Sequence, residues 1–150
     1  MVDLKGTKTE ENLKAALAGE SQARVKYEFY ASQAKKDGYV EIKDIFQESS
    51  DNEKEHAKIW FKLLNGGKVP DTETNLADAA AGEHEEWTSM YKEFAATARE
   101  EGLDDIAELF DAAAATEKAH EDRYNAVADK IKAGKVFKKD EERENIYYYF

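Results

Sequence analysis

The chain has 150 residues, no cysteine and a formal net charge of -11. The acidic excess argues against nucleic acid, whose binders carry basic patches. The missing cysteines exclude disulfides, thiolate zinc sites and iron–sulfur centres within the chain. With 37% charged and 41% hydrophobic residues, one proline and 8 glycines, the composition fits one domain of long amphipathic helices, too apolar for a disordered acidic tail.

The N-terminal stretch Met1-Val2-Asp3-Leu4-Lys5-Gly6 has no apolar signal region, and no run approaches membrane-spanning length, so the cytoplasm is the default compartment. Thr7 and Glu10 have capping-box spacing and open a first helix that Asp37-Gly38 stops. Its inward stripe reads Leu13, Leu17, Glu20, Arg24, Tyr27, Ala31 and Ala34, so a glutamate sits on the apolar seam. The second helix runs from about Val40 to Leu64, with Ile42, Ile45, Ser49, Glu53, His56, Trp60 and Leu63 inward. Asn65-Gly66-Gly67 ends it, and a connector holds the only proline. The third helix is expected from near Asn75, capped by Thr72 or Thr74, to Glu101-Gly102. Its stripe is Leu76, Ala80, Glu83, Glu86 or Trp87, Met90, Phe94 and Ala98. The fourth runs from about Asp104 to Ala133 through Ile106, Phe110, Ala113, Glu117, His120, Tyr124, Val127 and Ile131.

The two halves repeat one another. Asn12-Leu13 and Ala18-Gly19-Glu20 return 63 residues on as Asn75-Leu76 and Ala81-Gly82-Glu83. From Tyr27 the offset is 64: Tyr27 matches Tyr91, Phe46 matches Phe110, and Glu53 and His56 match Glu117 and His120. One residue has therefore been gained between Glu83 and Tyr91, inside a helix, and such an insertion is commonly absorbed as a π-bulge. Glu86 lies beside it, and the counterparts in the first half, Gln22 or Ala23, are not carboxylates.

Glu-x-x-His occurs twice, as Glu53–His56 and Glu117–His120. Residues three apart share a helix face, so a carboxylate and an imidazole can reach one metal together. With Glu20, Glu83 and Glu86 they make seven inward polar residues, the pattern of a di-metal site in a four-helix bundle. Any one of these glutamates alone would more readily be a solvated surface residue. All seven, on four stripes and related by a repeat, favour the metal. Oxygen-rich ligation with one imidazole per metal suits iron or manganese over zinc or copper. Tyr27 and Tyr91, on the ligand faces, could hydrogen-bond ligand carboxylates, though a core tyrosine with its hydroxyl at a rim is an equal reading of either alone. His84 points off the stripe as a surface histidine, Arg24 is long enough to reach water, and Trp60 and Trp87 read as core aromatics.

With these residues in place the chain resembles the rubrerythrin family. The carriers are Leu4-Lys5-Gly6-Thr7-Lys8-Thr9-Glu10, Ala18-Gly19-Glu20-Ser21-Gln22-Ala23-Arg24, Glu53-Lys54-Glu55-His56-Ala57, Ala81-Gly82-Glu83-His84-Glu85-Glu86, Met90-Tyr91 and Glu117-Lys118-Ala119-His120-Glu121. The resemblance implies an all-α, ferritin-like four-helix bundle of two helix-pair repeats with a crossover connection, spanning residues 1–136, with 137–150 as a tail. It implies two iron ions, Fe2+/Fe3+ and oxo- or hydroxo-bridged when oxidised, held by Glu20, Glu53, His56, Glu83, Glu86, Glu117 and His120. It also implies reduction of hydrogen peroxide to water, with Glu86, His56, Tyr27 and Tyr91 at the reacting centre and one iron exchanging His56 for Glu86 on oxidation. Many rubrerythrins continue into a rubredoxin domain with paired Cys-x-x-Cys motifs. This chain ends at Tyr147-Tyr148-Tyr149-Phe150: either the natural protein stops here, with a rubredoxin-like donor expected in trans, or a longer one is cut just before its first cysteine.

The rival on the same scaffold is a ferroxidase or iron-storage protein, and the rival of another class is a metal-free helical interaction module. No nucleic acid or membrane partner is expected. Parallel second and third helices would stretch the connector nearly taut, so a homodimer is expected, with exchange of helix pairs between chains as one way to relieve it.

Overall fold

Thr7 starts the first helix as its spacing foretells. Its hydroxyl accepts the Glu10 N–H at 3.0 Å, and the Glu10 carboxylate reaches back to the Gly6 N–H at 3.3 Å. The computed structural model describes residues 3–135, and the tail assigned to 137–150 lies outside them. Helix α1 (Lys8–Lys36) and helix α2 (Val40–Leu64) form a hairpin. Between them Gly38 adopts φ 88°, and Tyr39 N–H donates to Ala34 O at 2.9 Å. A positive φ there strains any residue with a Cβ, which is why glycine stands at this C-terminus.

The α1–α2 seam closes on small residues. Ala31, Ala34 and Ser50 are buried. The Ser50 hydroxyl donates to Arg24 O at 3.0 Å and Arg24 Nη1 donates to Ser50 O at 3.2 Å, a reciprocal pair that ties the two helices. Arg24 therefore does not simply run out to water. It spends one nitrogen on a backbone carbonyl and reaches Glu28 and Asp51 at 3.2 and 3.6 Å.

The third helix begins earlier than its composition suggests. Asp71, directly after Pro70, has an extended backbone and accepts the Thr74 N–H at 2.9 Å, so helix α3 spans Thr72–Glu85 rather than starting near Asn75. Aspartate outranks threonine as an N-cap, and here it precedes both candidate threonines. A π-helical segment, Glu86–Met90, follows, then helix α4 (Tyr91–Glu100) on the same axis of chain. The residue gained between the repeats is absorbed in the segment the offset points to. Helix α5 (Asp104–Lys132) returns after Gly102 at φ 76°. Ala95, Ala98 and Ala107 form the buried core of this half, with Phe110 packed on it.

The aromatic triads repeat as well. Tyr27 stacks on Phe46 with Tyr30 edge-on to the same ring, and Tyr91 stacks on Phe110 with Phe94 tilted against it. The chain divides into two units, Met1–Pro70 and Asp71–Phe150. Within them several stripe residues expected inward are exposed, among them Ile42, Ile45, Leu63, Phe94 and Ile106. A helix pair has only one seam, so apolar side chains flanking it stay uncovered by their own unit. Among the described residues there is no strand, and no helix is long and apolar enough to cross a membrane.

Candidate metal centre

The first unit brings Glu20 from the middle of α1 to Glu53 and His56 of α2. His56 Nδ1 lies 3.4 Å from Glu20 Oε1 and 3.9 Å from Glu53 Oε1. The second unit repeats the arrangement from α3 and α5, with His120 Nδ1 at 3.3 Å from Glu83 Oε1 and 3.9 Å from Glu117 Oε2. In each group one potential ligand atom per residue lies within 4.8 Å of the others. The three-residue spacing of each Glu-x-x-His pair and the matching heights of Glu20 and Glu83 account for this without further adjustment.

The two groups differ where the π segment intrudes. It turns Glu86 onto the face of Glu117. Burial first, then hydrogen bonding with Glu117 and its like charge, raise the Glu86 carboxyl above its ordinary range, against an opposing pull from His120. Glu117 is raised too, chiefly by its hydrogen bond with Glu83 and then by burial. Carboxyls crowded together disfavour one another's ionisation, which is the like-charge part of both shifts. Glu83 Oε2 is buried with no hydrogen-bond partner. Burying a carboxylate oxygen that way is costly unless a cation or donor meets it. The donor set, oxygen-rich with one nitrogen per group, fits iron.

Six of the seven expected ligands thus fall into two groups of three, and the seventh, Glu86, stands against the second. Tyr27 and Tyr91 lie in the aromatic triads. Among the described residues neither hydroxyl bonds a carboxylate of its own unit. His84 is exposed, with Nδ1 3.0 Å from Glu121 Oε1, outside both groups. Trp60 does more than fill a core: its Nε1 donates to Glu20 Oε2 at 2.9 Å, steering a carboxylate of the first group. The signal was available, because Trp60 follows His56 by one helical turn on the ligand stripe. Trp87 instead donates to Glu121, which lowers the Glu121 carboxyl with help from His84.

Residues 11–128 match the family model described as Rubrerythrin. The chain belongs to the rubrerythrin family. It is 51% identical to Rubrerythrin-1 of Clostridium acetobutylicum, covering 94% of this chain and 80% of that one. It is 48% identical to the rubrerythrin of Nitratidesulfovibrio vulgaris with the same coverages. A solved structure of nigerythrin in its fully reduced, all-ferrous state is 32% identical, covering 83% of this chain and 68% of that one at a TM-score of 0.44. Rubrerythrins are ferritin-like di-iron proteins, and the two carboxylate–histidine groups are the residues of this chain suited to metal.

Proposed function

We propose that this rubrerythrin is a non-haem di-iron peroxidase, reducing hydrogen peroxide to water with electrons from a rubredoxin-like donor in trans. The observation that carries it is Glu86, a third carboxylate that the π segment sets against Glu117 and that the other group lacks. In this scheme Glu20, Glu53, Glu83 and Glu117 would hold the iron pair through their carboxylates, and His56 and His120 would supply one imidazole each. When bound, the iron pair supplies the two electrons that, with two protons, convert one peroxide to two waters.

The chain's own groups set the conditions for that exchange. Four glutamates balance two ferrous charges, and the neutral imidazoles leave the balance unchanged. Oxidation would add positive charge, and Glu86 is the anion that would offset it, His56 being exposed. Burial and the neighbouring Glu117 raise the Glu86 carboxyl above its ordinary range. Trp60 holds Glu20 in place through the change.

Anaerobic titration should give two ferrous ions per chain. Reduced rubredoxin should then sustain many turnovers of peroxide. Iron uptake without turnover beyond one equivalent of peroxide would remove the peroxidase and leave an iron-binding protein.

A further inference from the structure

The π segment is held between two anchors. On its N-terminal side Glu83 Oε1 lies 3.3 Å from His120 Nδ1, and on its C-terminal side the Tyr91 ring stacks on Phe110 with centroids 6.0 Å apart. The first unit has the same two anchors, at Glu20 and Tyr27. There they are seven residues apart, and about 700° of helical turn leaves them in phase. Glu83 and Tyr91 are eight apart, and a plain α-helix would swing one of them about 100° off its partner. One wide turn between them is therefore obligatory. Its place is not, because a wide turn anywhere between the anchors restores their phase. It opens at Glu86, where the Tyr91 N–H donates to Glu86 O. Glu86 thus keeps its α-helical position three after Glu83, on the ligand face. A wide turn completed before Glu86 would leave that carboxyl about 200° round from Glu83, off the face.

A cluster that the first unit lacks holds the turn in this place. Trp87, next to Glu86 in the segment, donates its Nε1 hydrogen to Glu121 Oε1 on α5. His84, in the turn before, sets Nδ1 3.0 Å from the same oxygen, with its ring edge-on to the indole at 5.4 Å. Lys118 Nζ lies over the indole, 5.7 Å from the ring centroid. The Thr88 hydroxyl donates to His84 O at 2.6 Å, across the start of the wide turn. The Glu121 side chain keeps only 16% of its surface in water. Its counterpart in the first half is Ala57, which offers no acceptor, and His84 is replaced there by Ser21. That half has no wide turn: α1 runs as α-helix from Lys8 to Lys36. Cluster and wide turn occur together and are absent together.

We infer that Glu121 and Trp87 are positioning residues: the hydrogen bond between them pins the wide turn to Glu86–Met90 and so presents Glu86 to Glu117. Neither residue belongs to the two ligand groups, and both act through Glu86 alone. A π segment is a rare backbone state that needs outside contacts to hold it, and Trp87 carries such contacts from inside the segment to α5. The inference rests on the redox role proposed above for Glu86.

The full chain tests it, first without metal. Glu121→Ala removes the acceptor, and losing one hydrogen bond to a charged group shifts a local equilibrium about tenfold or more. Amide hydrogen exchange over residues 86–91 should quicken by about that factor while α1 and α2 keep their protection. Loaded anaerobically, Glu121→Ala should bind two ferrous ions as the parent does. Peroxide should then oxidise the pair more slowly, toward the rate of Glu86→Ala. Combining Glu121→Ala with Glu86→Ala should slow oxidation no further than Glu86→Ala alone, because the two act as one unit. Trp87→Phe, which keeps the carboxylate, should reproduce the slowing. Glu121→Gln, which keeps an oxygen for the indole N–H, should recover most of the parent rate. Additive slowing in the double variant, or protection lost evenly along the chain, would overturn the positioning role. So would a parent rate in Glu121→Ala beside a slow Glu86→Ala. A parent rate in Glu86→Ala would instead overturn the redox role on which the inference rests.

Discussion

Trp60→Phe removes the indole N–H that donates to Glu20 Oε2 at 2.9 Å while retaining an aromatic ring at the site. A hydrogen bond to a charged group contributes about 1.5–3 kcal/mol, and at ~1.4 kcal/mol per decade that is roughly 10–100-fold in affinity. The Glu20 side chain keeps 26% of its surface in water, so screening places the effect at the lower end, about tenfold. The loss should fall on one iron only, because Glu83, the counterpart of Glu20, receives no tryptophan and has a buried oxygen without a partner. Anaerobic ferrous titration against a competing chelator should therefore show two binding steps drawn apart, the weaker shifted about tenfold. Trp87→Phe, whose N–H serves Glu121, should leave both steps in place. Two unshifted steps in Trp60→Phe, or equal weakening of both, would refute the role given to this bond.

His84→Ala should leave the iron content unchanged, since His84 faces Glu121 outside both groups; lost iron would mean the helix faces are misassigned. Glu86→Ala should still take up two ferrous ions, but stopped-flow oxidation by peroxide should slow by more than ferrous affinity falls, because the diferric state loses its added anion. Equal oxidation rates would leave Glu86 without a redox role. In the metal-free chain, Glu86→Gln should raise the melting temperature at pH 7 and lose that gain near pH 4. The raised Glu86 carboxyl supports the fold only below its ordinary value of 4.5, and the support is lost as pH rises through the folded pKa. A gain of the same size at both pH values would contradict the raised carboxyl.

Much of the centre was legible because helical periodicity is rigid. Glu53–His56 and Glu117–His120 need only three-residue spacing to converge with Glu20 and Glu83, and the observed groups follow it. The change of offset from 63 to 64 announced the π segment at Glu86–Met90, since a residue inserted between two in-phase stretches has few other outlets. Local competition was harder to read. Asp71, Thr72 and Thr74 could each cap α3, and only the extended backbone after Pro70 selects Asp71. The polar ends of large side chains were also hidden. Trp60 and Arg24 lie on the predicted seams, but their partners, Glu20 Oε2 and Ser50 O, depend on how α1 and α2 are seated.

The central claim is that the diferrous centre is matched to peroxide rather than to oxygen. The measurement is direct: load the anaerobic protein with two ferrous ions per chain, then follow reoxidation after rapid mixing with stoichiometric hydrogen peroxide or with air-saturated buffer. The di-iron peroxidase assignment predicts that peroxide oxidises the pair far faster than oxygen does, with the iron retained on the protein. Oxidation by oxygen at the same rate or faster, with ferric iron leaving the site, would contradict it and identify a ferroxidase.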